Sequence, residues 1–240
     1  MGLFDKKFCD ICGGKIGLLG NRKLEDGNLC KDCAKKLSPW FSDRRNSTIA
    51  EIKEQLEYRE ANKAEVAAFH TTRSMGDRMK VLLDEDARKF MVTSASNLQE
   101  ANPDVLRYED VIGCELDIDE RKVEQKTKNA EGKEVSFNPP RYKSEYDISV
   151  VINVNNPYFD DIRFKINNSS IQGKTDPEYR KCEAVGLEIR DTMKKIRESV
   201  REGIAAAAAP KVAVTCPNCG ASTIPDDNGC CEYCGAALKV

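Results

Sequence analysis

The sequence predicts an α+β chain of several domains, in which an antiparallel β domain closed by a long helix lies between two small metal-binding modules. Three observations support this architecture. Paired cysteines recur near both ends of the chain, within residues 1–45 and 214–240. Apolar and polar residues alternate through the middle of the chain, which is typical of strands with one buried face. An apolar stripe at intervals of three and four precedes the last module, which is typical of a helix lying on a sheet.

Composition favours a cytoplasmic protein. The 240 residues are 40% hydrophobic and 32% charged, with a formal net charge of −2. No apolar run approaches the roughly 20 residues that cross a bilayer, and the first residues contain no apolar stretch of signal-peptide length. Thiols stay reduced in the cytoplasm, so the 11 cysteines indicate metal binding rather than disulfides.

The first module, residues 1–45, contains two C-x-x-C pairs. Its four candidate ligands are Cys9, Cys12, Cys30 and Cys33. The segment between the pairs favours a hairpin, because apolar Ile16, Leu18 and Leu19 are followed by Gly-Asn and Asp-Gly turn signals. From Cys30 onward the residues predict a short helix stopped by Pro39. A knuckle, a hairpin and a ligand-bearing helix together resemble a treble-clef zinc finger.

The second module, residues 214–240, repeats the form C-x-x-C-G. Its candidate ligands are Cys216, Cys219, Cys231 and Cys234. Cys230 is surplus, because only Cys231 has the correct spacing to Cys234. Two such knuckles resemble a zinc ribbon.

Each set of four sulfurs predicts one structural zinc ion. Modules this small bury too little apolar surface to fold unaided, and four protein ligands leave no open position for water or substrate. The chain is therefore predicted not to be an enzyme. A dithiol redox pair is the competing interpretation, although it expects a single C-x-x-C beside a βαβ pattern. Ligand type alone does not decide between zinc and iron.

A charged connecting helix is predicted next, within residues 46–75. Thr48 and Glu51 have capping-box spacing, and Ile49, Ile52 and Leu56 follow at helical intervals. We expect a helix from about 48 to 69. Its apolar stripe is thin, so we expect it to pack lightly or to serve as a spacer.

Residues 76–206 predict a sheet followed by a long helix. Residues 80–84 and 89–93 flank an acidic turn, as in a hairpin. Further strands are indicated by apolar residues that share one face: Ile112, Cys114, Leu116 and Ile118; Tyr146, Ile148, Val150, Ile152 and Val154; Ile162, Phe164 and Ile166. Residues 120–143 are polar and contain Pro139-Pro140, which favours a weak hairpin or a long exposed loop.

The closing helix is predicted to begin after an Asp176 N-cap, with Pro177 at its first position. Thr175 and Glu178 offer a capping box as an alternative frame. One apolar stripe then continues for about six turns: Cys182, Val185, Ile189, Met193, Ile196, Val200 and Ile204. A linker at 207–213 leads into the second module. Roughly seven short antiparallel strands followed by one long helix resemble the pleckstrin-homology superfold, a bent β-barrel plugged by a helix, over about 78–205.

The whole order resembles a bacterial group of uncharacterised proteins. The likeness is strongest over residues 1–45, which contain "CDICGGKIGLLGNRKLEDGNLCKDCAKKLSPWF", and it extends through "IKEQLEYREANKAEVAAF" and "DEDARKFMV". The resemblance supports zinc at the four N-terminal cysteines and implies a bacterial, cytoplasmic setting. It implies no activity.

Other chemistry-bearing residues favour structural roles. His70, the single histidine, is expected at the surface near a helix end, and Cys114 and Cys182 are expected in the core. The acidic runs that include Asp84-Glu85-Asp86 are expected to be solvated turns. These carboxylates would repel a phosphoinositide head group.

Charge also disfavours nucleic acid as a partner. With eight thiolates and two divalent ions the formal charge falls from −2 to about −6. Arg22-Lys23 and Arg44-Arg45 are small basic spots rather than a continuous stripe. The leading hypothesis is a non-catalytic scaffold or adaptor that binds a protein partner, with self-association as a further option. The alternatives are a nucleic-acid-binding regulator that uses the first module, and a thiol redox or metal-responsive sensor.

Overall fold

The computed structural model describes residues 7–208, 213–226 and 228–238. The chain divides into two compact units, Met1–Glu198 and Ser199–Val240. The first unit begins with two small antiparallel hairpins and a short helix: β1 (Lys7–Phe8), β2 (Lys15–Ile16), β3 (Arg22–Lys23), β4 (Asn28–Leu29) and α1 (Lys31–Ala34). Helix α1 ends at Ala34, so it is shorter than the helix predicted to stop at Pro39.

Helix α2 (Ile49–Ala68) follows a 3-10 turn at Arg44–Asn46. Its N-terminus carries the predicted capping box. The Thr48 amide donates to Glu51 Oε2 over 2.7 Å, and the Glu51 amide donates to Thr48 Oγ1 over 3.3 Å. Two otherwise unpaired backbone donors are thereby satisfied, which is why the helix begins at this point.

The expectation that α2 packs lightly is wrong. One face of the helix is buried at Ile52, Gln55, Arg59, Asn62 and Val66. Three of these five side chains are polar, so a hydropathy pattern does not reveal them as core. Two of the polar side chains are held by partners that lie far away in the sequence, on the segment around Asp104.

The first sheet has four antiparallel strands in the order β5-β6-β7-β8. They are β5 (Arg73–Met75), β6 (Lys80–Asp84), β7 (Lys89–Thr93) and, after the short helix α3 (Leu98–Ala101), β8 (Leu106–Arg107). The predicted hairpin is present, with Lys80 paired to Thr93 and Asp84 to Lys89. A 3-10 turn at Tyr108–Asp110 leads to the second sheet.

Gly76, in the turn between β5 and β6, gives a stability prediction. Its φ is +92°, and a Cβ there would collide with the Met79 carbonyl oxygen. Gly76→Ala is expected to destabilise the first unit by about 2–4 kcal/mol, through the left-handed backbone and the clash together. Gly132→Ala is the control, because φ is +79° there but no atom lies within 4 Å of the added Cβ. Equal shifts of the urea unfolding midpoint in the two variants would contradict the close approach of the Met79 carbonyl oxygen to position 76.

The second sheet is built on two long strands, β9 (Val111–Lys128) and β10 (Glu134–Val154). Strands β11 (Asp161–Lys165) and β12 (Ile171–Gln172) pair with β10 on its other side. The predicted inward face of β10 is buried throughout: Tyr146, Ile148, Val150, Ile152 and Val154.

Ile112 was expected to share the inward face with Cys114, and this is wrong. Its side chain is 50% exposed. Val111 pairs with Val154 and Gly113 pairs with Asn153, so Ile112 is an extra residue with no partner opposite it. Such a bulge turns one side chain away from the face that the alternation assigns to it.

Residues 120–143 form a hairpin, the first of the two predicted options. Strands β9 and β10 pair along their length from Val154 to Glu134, apart from two register shifts. One is the bulge at Ile112, and the other lies between Ser136 and Arg141, where residues 137–140 of β10 have no partner on β9. Among the described residues, no third strand pairs with 119–144, so this part is a two-stranded ribbon. Both sheets are open and antiparallel.

Helix α4 spans Pro177–Ala208, and its first turns pack on the second sheet through Tyr179 and Cys182. Asp176 Oδ1 accepts the Glu178 amide over 2.9 Å, as expected of an N-cap. Of the predicted stripe, Cys182, Ile189, Met193 and Ile196 are buried, whereas Ile204 is exposed. The stripe therefore contributes to the core between Cys182 and Ile196 and not at its C-terminal end. No helix in the described ranges is long and apolar enough to cross a membrane.

The second unit contains the hairpin β13 (Val214–Thr215) and β14 (Ser222–Thr223), and an isolated bridge between Cys230 and Ala237. Cys216, Cys231 and Leu238 form its small core. Residues 209–212 of the predicted linker lie outside the described residues, as do residues 1–6 of the first module.

Candidate metal centres

The first knuckle lies between β1 and β2. The Cys9 amide donates to the Gly14 carbonyl over 2.9 Å, and the Gly13 amide donates back to the Cys9 carbonyl over 2.8 Å. Gly13 has φ +69°, a conformation that favours glycine. This tight turn brings Cys9 and Cys12 to the same point, as a shared ion requires.

The other two N-terminal sulfurs come from the start of α1. Cys30 is its N-cap residue, and the Cys33 amide donates to Cys30 Sγ over 3.3 Å. The Cys30 amide in turn donates to Cys9 Sγ over 3.3 Å. The knuckle and the helix start are thus joined by N–H···S hydrogen bonds, which stabilise negative charge on sulfur.

The C-terminal module repeats the knuckle twice. The Cys216 amide donates to the Ala221 carbonyl over 2.8 Å, and the Cys231 amide donates to the Ala236 carbonyl over 2.9 Å. Gly220 and Gly235 both have φ +72°. The glycine after the second cysteine thus performs the same conformational role in all three knuckles, which is why C-x-x-C-G recurs in the sequence.

The sulfur spacing fits a tetrahedral metal ion. In each group all four sulfurs lie within 4.8 Å of one another: Cys9, Cys12, Cys30 and Cys33; Cys216, Cys219, Cys231 and Cys234. The Cys12 and Cys30 sulfurs lie 3.8 Å apart at the N-terminal site, and the Cys216–Cys234 and Cys219–Cys231 pairs span 3.6 and 3.7 Å at the C-terminal site. Tetrahedral zinc with Zn–S bonds of about 2.3 Å places sulfurs about 3.8 Å apart, whereas a disulfide needs about 2.05 Å. Both groups could therefore hold a metal ion.

Backbone amides also prepare individual sulfurs for a cation. Burial by itself raises the pKa of Cys9, but the N–H groups of Cys12, Cys30 and Ile11 outweigh it and lower that pKa to about 6. Burial raises the pKa of Cys33 in the same site. In the C-terminal module the Ala236 amide, helped by the Asn218 side chain, lowers the pKa of Cys234 to about 6. In each site, backbone amides thus favour the thiolate form of one sulfur.

The N-terminal module is similar to one known family. Residues 7–55 match a family model described as a domain of unknown function (DUF4428). No curated protein and no solved structure matches the chain.

The DUF4428 domain includes the first two turns of α2 as well as the cysteine site. Ile52 of α2 is fully buried in one core with Leu24, Leu29 and Leu37 of the cysteine module. Asp26 Oδ1 also accepts the Ile49 amide at the start of α2 over 2.8 Å. The helix start therefore completes the hydrophobic core of this domain.

The surplus cysteine tests the ligand assignment. Cys231 belongs to the C-terminal group, whereas the Cys230 amide donates to Asp226 Oδ1 over 2.7 Å and Cys230 Sγ faces the Asn228 carbonyl. Cys231→Ser is expected to lower the metal content by about one ion per chain, and Cys230→Ser is expected to leave it unchanged. Elemental analysis of both purified variants checks this. If only the Cys230→Ser variant lost metal, Cys230 would be the ligand and Cys231 the surplus cysteine.

The other candidate residues have structural surroundings. His70 is exposed, and its backbone amide donates to Asp84 Oδ2 over 2.8 Å. Asp84 is buried rather than solvated. Its Oδ1 accepts the Ala87 amide over 2.9 Å, and this hydrogen bond closes the turn after β6. Burial raises the pKa of Cys114 to about 12 and that of Cys182 to about 11, as expected for core thiols.

Two features were not recognised from the sequence. One is the buried Arg59–Asp104 ion pair, although polar residues at intervals of three and four within the α2 stripe were a visible signal of it. The other is the exposure of Leu18 and Leu19, which hydropathy alone does not reveal.

Proposed function

We propose that the chain is a non-catalytic, cytoplasmic scaffold or adaptor that binds a protein partner and contains two structural zinc ions. The ligands would be the two groups of four cysteines. Sulfur-only donor sets and their tetrahedral spacing support zinc. Four protein sulfurs close each site to substrate, which supports a structural role for the ions.

The proposed modules are a treble-clef-like finger, a pleckstrin-homology-like middle domain and a zinc ribbon. For the middle domain, the support is the order of a four-stranded sheet, a second sheet and a closing helix. In this arrangement the sheets act as a platform, and the loops and strand extensions supply the contacts with a partner.

The ribbon of residues 119–144 is the observation that carries the adaptor proposal. Its two strands pair with no other strand in the described ranges, so their outer edges offer unpaired backbone groups. The Ser144 carbonyl is an exception, because it accepts the Gly173 amide over 3.2 Å. Tyr142 is 61% exposed, and Val123 and Val135 are also exposed. An edge with free N–H and C=O groups beside apolar side chains suits a partner that adds a strand.

Affinity capture from an extract of the native host tests this proposal, with the zinc-loaded full chain as bait. We expect a specific protein to be retained by the parent chain and lost by the Val123→Ser/Tyr142→Ser variant. The captured protein, once purified, should bind the parent chain directly with the same dependence on these residues. Light scattering of the parent chain tests self-association through the same edge.

A matched control is the Leu18→Ser/Leu19→Ser variant, which removes two exposed apolar side chains elsewhere and should keep the partner. Failure to capture any specific protein, together with a monomeric parent chain, would count against the adaptor. The nucleic-acid and sensor alternatives remain predictions. A mobility shift at low salt tests the first, and zinc release by peroxide tests the second.

A further inference from the structure

The turn between β2 and β3 exposes two adjacent leucines. Leu18 and Leu19 are 90% and 89% exposed, more than any other large hydrophobic side chain in the described ranges. They are the central residues of a tight turn, closed by a 2.9 Å hydrogen bond from the Gly20 amide to the Gly17 carbonyl. Ile16, directly before the turn, is buried in the module's core. The core therefore leaves both leucines in solvent.

A basic cluster, defined as Arg22, Lys23, Arg44 and Arg45, adjoins this turn. The Arg22 guanidinium donates to the Leu19 carbonyl over 3.4 Å, and the Arg44 guanidinium donates to the Lys23 carbonyl over 2.6 Å. Burial, with the nearby charges of Arg22 and Arg45, lowers the pKa of Arg44. None of the four forms an ion pair with a carboxylate of the described residues. Their positive charge is therefore free for an external anion.

We propose that the Leu18–Leu19 turn and the basic cluster form a docking site for an anionic lipid membrane surface. The leucines would enter the interfacial layer, and the cations would lie against the acidic head groups. Stable peripheral binding needs both an apolar and an electrostatic contribution, and here the two are adjacent on one module. The apolar part is a protruding two-residue tip, whereas a protein interface of standard size buries about 800 Å² on each partner.

Co-sedimentation of the zinc-loaded full chain with vesicles tests the site. We expect binding to vesicles of phosphatidylserine and phosphatidylcholine, and much weaker binding to phosphatidylcholine alone. Leu18→Ser/Leu19→Ser should lower the partition coefficient at least about tenfold, because two leucines lose their burial. Arg22→Gln/Lys23→Gln should lower it about tenfold or more, with a weaker dependence on salt. Metal content must equal that of the parent in both variants.

The control variant is Val123→Ser/Tyr142→Ser, which removes exposed apolar side chains from the ribbon and should bind vesicles like the parent. Parent-like vesicle binding by Leu18→Ser/Leu19→Ser would overturn the proposal, as would equal binding of the parent chain to neutral and anionic vesicles. A DNA or RNA mobility shift lost in Arg22→Gln/Lys23→Gln, without vesicle binding by the parent chain, would instead assign the basic cluster to nucleic acid.

Insertion itself can be measured at the turn. Leu19→Trp in a Trp40→Phe background leaves one tryptophan, placed at the tip. Its fluorescence should shift to shorter wavelength with anionic vesicles and stay unchanged with neutral ones, because the indole leaves water only when the turn inserts. An unchanged spectrum with bound vesicles would show adsorption by charge alone and would overturn the insertion step.

Discussion

Cys9→Ser is expected to remove about one metal ion per chain and to unfold the DUF4428 domain. Cys9 is buried, and its sulfur accepts the Cys30 amide that joins the knuckle to the start of α1. A structural zinc contributes an apparent ~10–16 kcal/mol to small modules, far more than the core around Leu24 and Leu29 can supply alone. Elemental analysis measures the ion, and hydrogen exchange over residues 7–55 measures the unfolding.

The consequences should extend into α2. Ile52 is buried in the core of the same domain, so amides in the first turns of α2 should lose protection with the metal. The C-terminal module should keep its ion. Cys182→Ala is the matched control, because Cys182 is buried in the second sheet's core outside both groups. That variant should lose stability with no change in metal content. A Cys9→Ser chain with the parent's metal content would contradict the assignment.

Arg59→Met is expected to destabilise the first unit by about 3–5 kcal/mol. Arg59 Nη1 lies 2.6 Å from Asp104 Oδ1, and the two side chains are 8% and 0% exposed. Arg59 also donates to the Asn102 carbonyl, and Ser38 donates to Asp104 Oδ2 over 2.8 Å. Removing only the cation leaves a buried carboxylate without compensation, and this is the costly way to break such a pair.

The loss of stability in the Arg59→Met variant should depend on pH in a defined direction. Burial raises the pKa of Asp104, and the charge of Arg59 and the Ser38 hydroxyl offset part of that rise. Without Arg59 the pKa of the folded state rises further above the ordinary carboxyl value of about 4. Between these two values the folded state holds more protons than the unfolded state, so the free energy of unfolding falls as pH rises. The deficit of Arg59→Met should therefore be smallest near pH 4 and grow towards neutrality.

Arg73→Met is the matched control for this ion pair. Arg73 lies 2.8 Å from Glu188, but the two side chains are 41% and 50% exposed. An exposed pair contributes about 0–1 kcal/mol, so the urea midpoint of the control should hardly move. Equal losses in the two variants, or a deficit of Arg59→Met that does not vary with pH, would show that Asp104 is not an unpaired buried charge in the variant.

Elements whose hydrogen bonds are local could be predicted from the sequence. The capping box of Thr48 and Glu51 and the N-cap at Asp176 are made between residues two or three apart. The C-x-x-C-G knuckles are also closed within about five residues. Their composition therefore specifies their geometry, and the two groups of four cysteines follow from it.

Elements that depend on distant partners could not be predicted in this way. The alternation around Ile112 gave the wrong face, because the bulge opposite Asn153 depends on how β9 registers with β10. The α2 stripe was interpreted as thin because its polar members find partners some forty residues away, at Asn102, Pro103 and Asp104. Hydropathy is a property of each residue, whereas burial depends on what the folded chain places beside it.

The sequence by itself therefore determined the α+β class, the two four-cysteine groups, the capped helix α2 and the strand face from Tyr146 to Val154. These follow from periodicity and from contacts within a few residues. Only the tertiary structure decided that the strands form two open sheets, that Arg59 and Asp104 are buried together, and that Leu18 and Leu19 remain in solvent. Each of these depends on segments far apart in the chain meeting in one register, which no local pattern encodes.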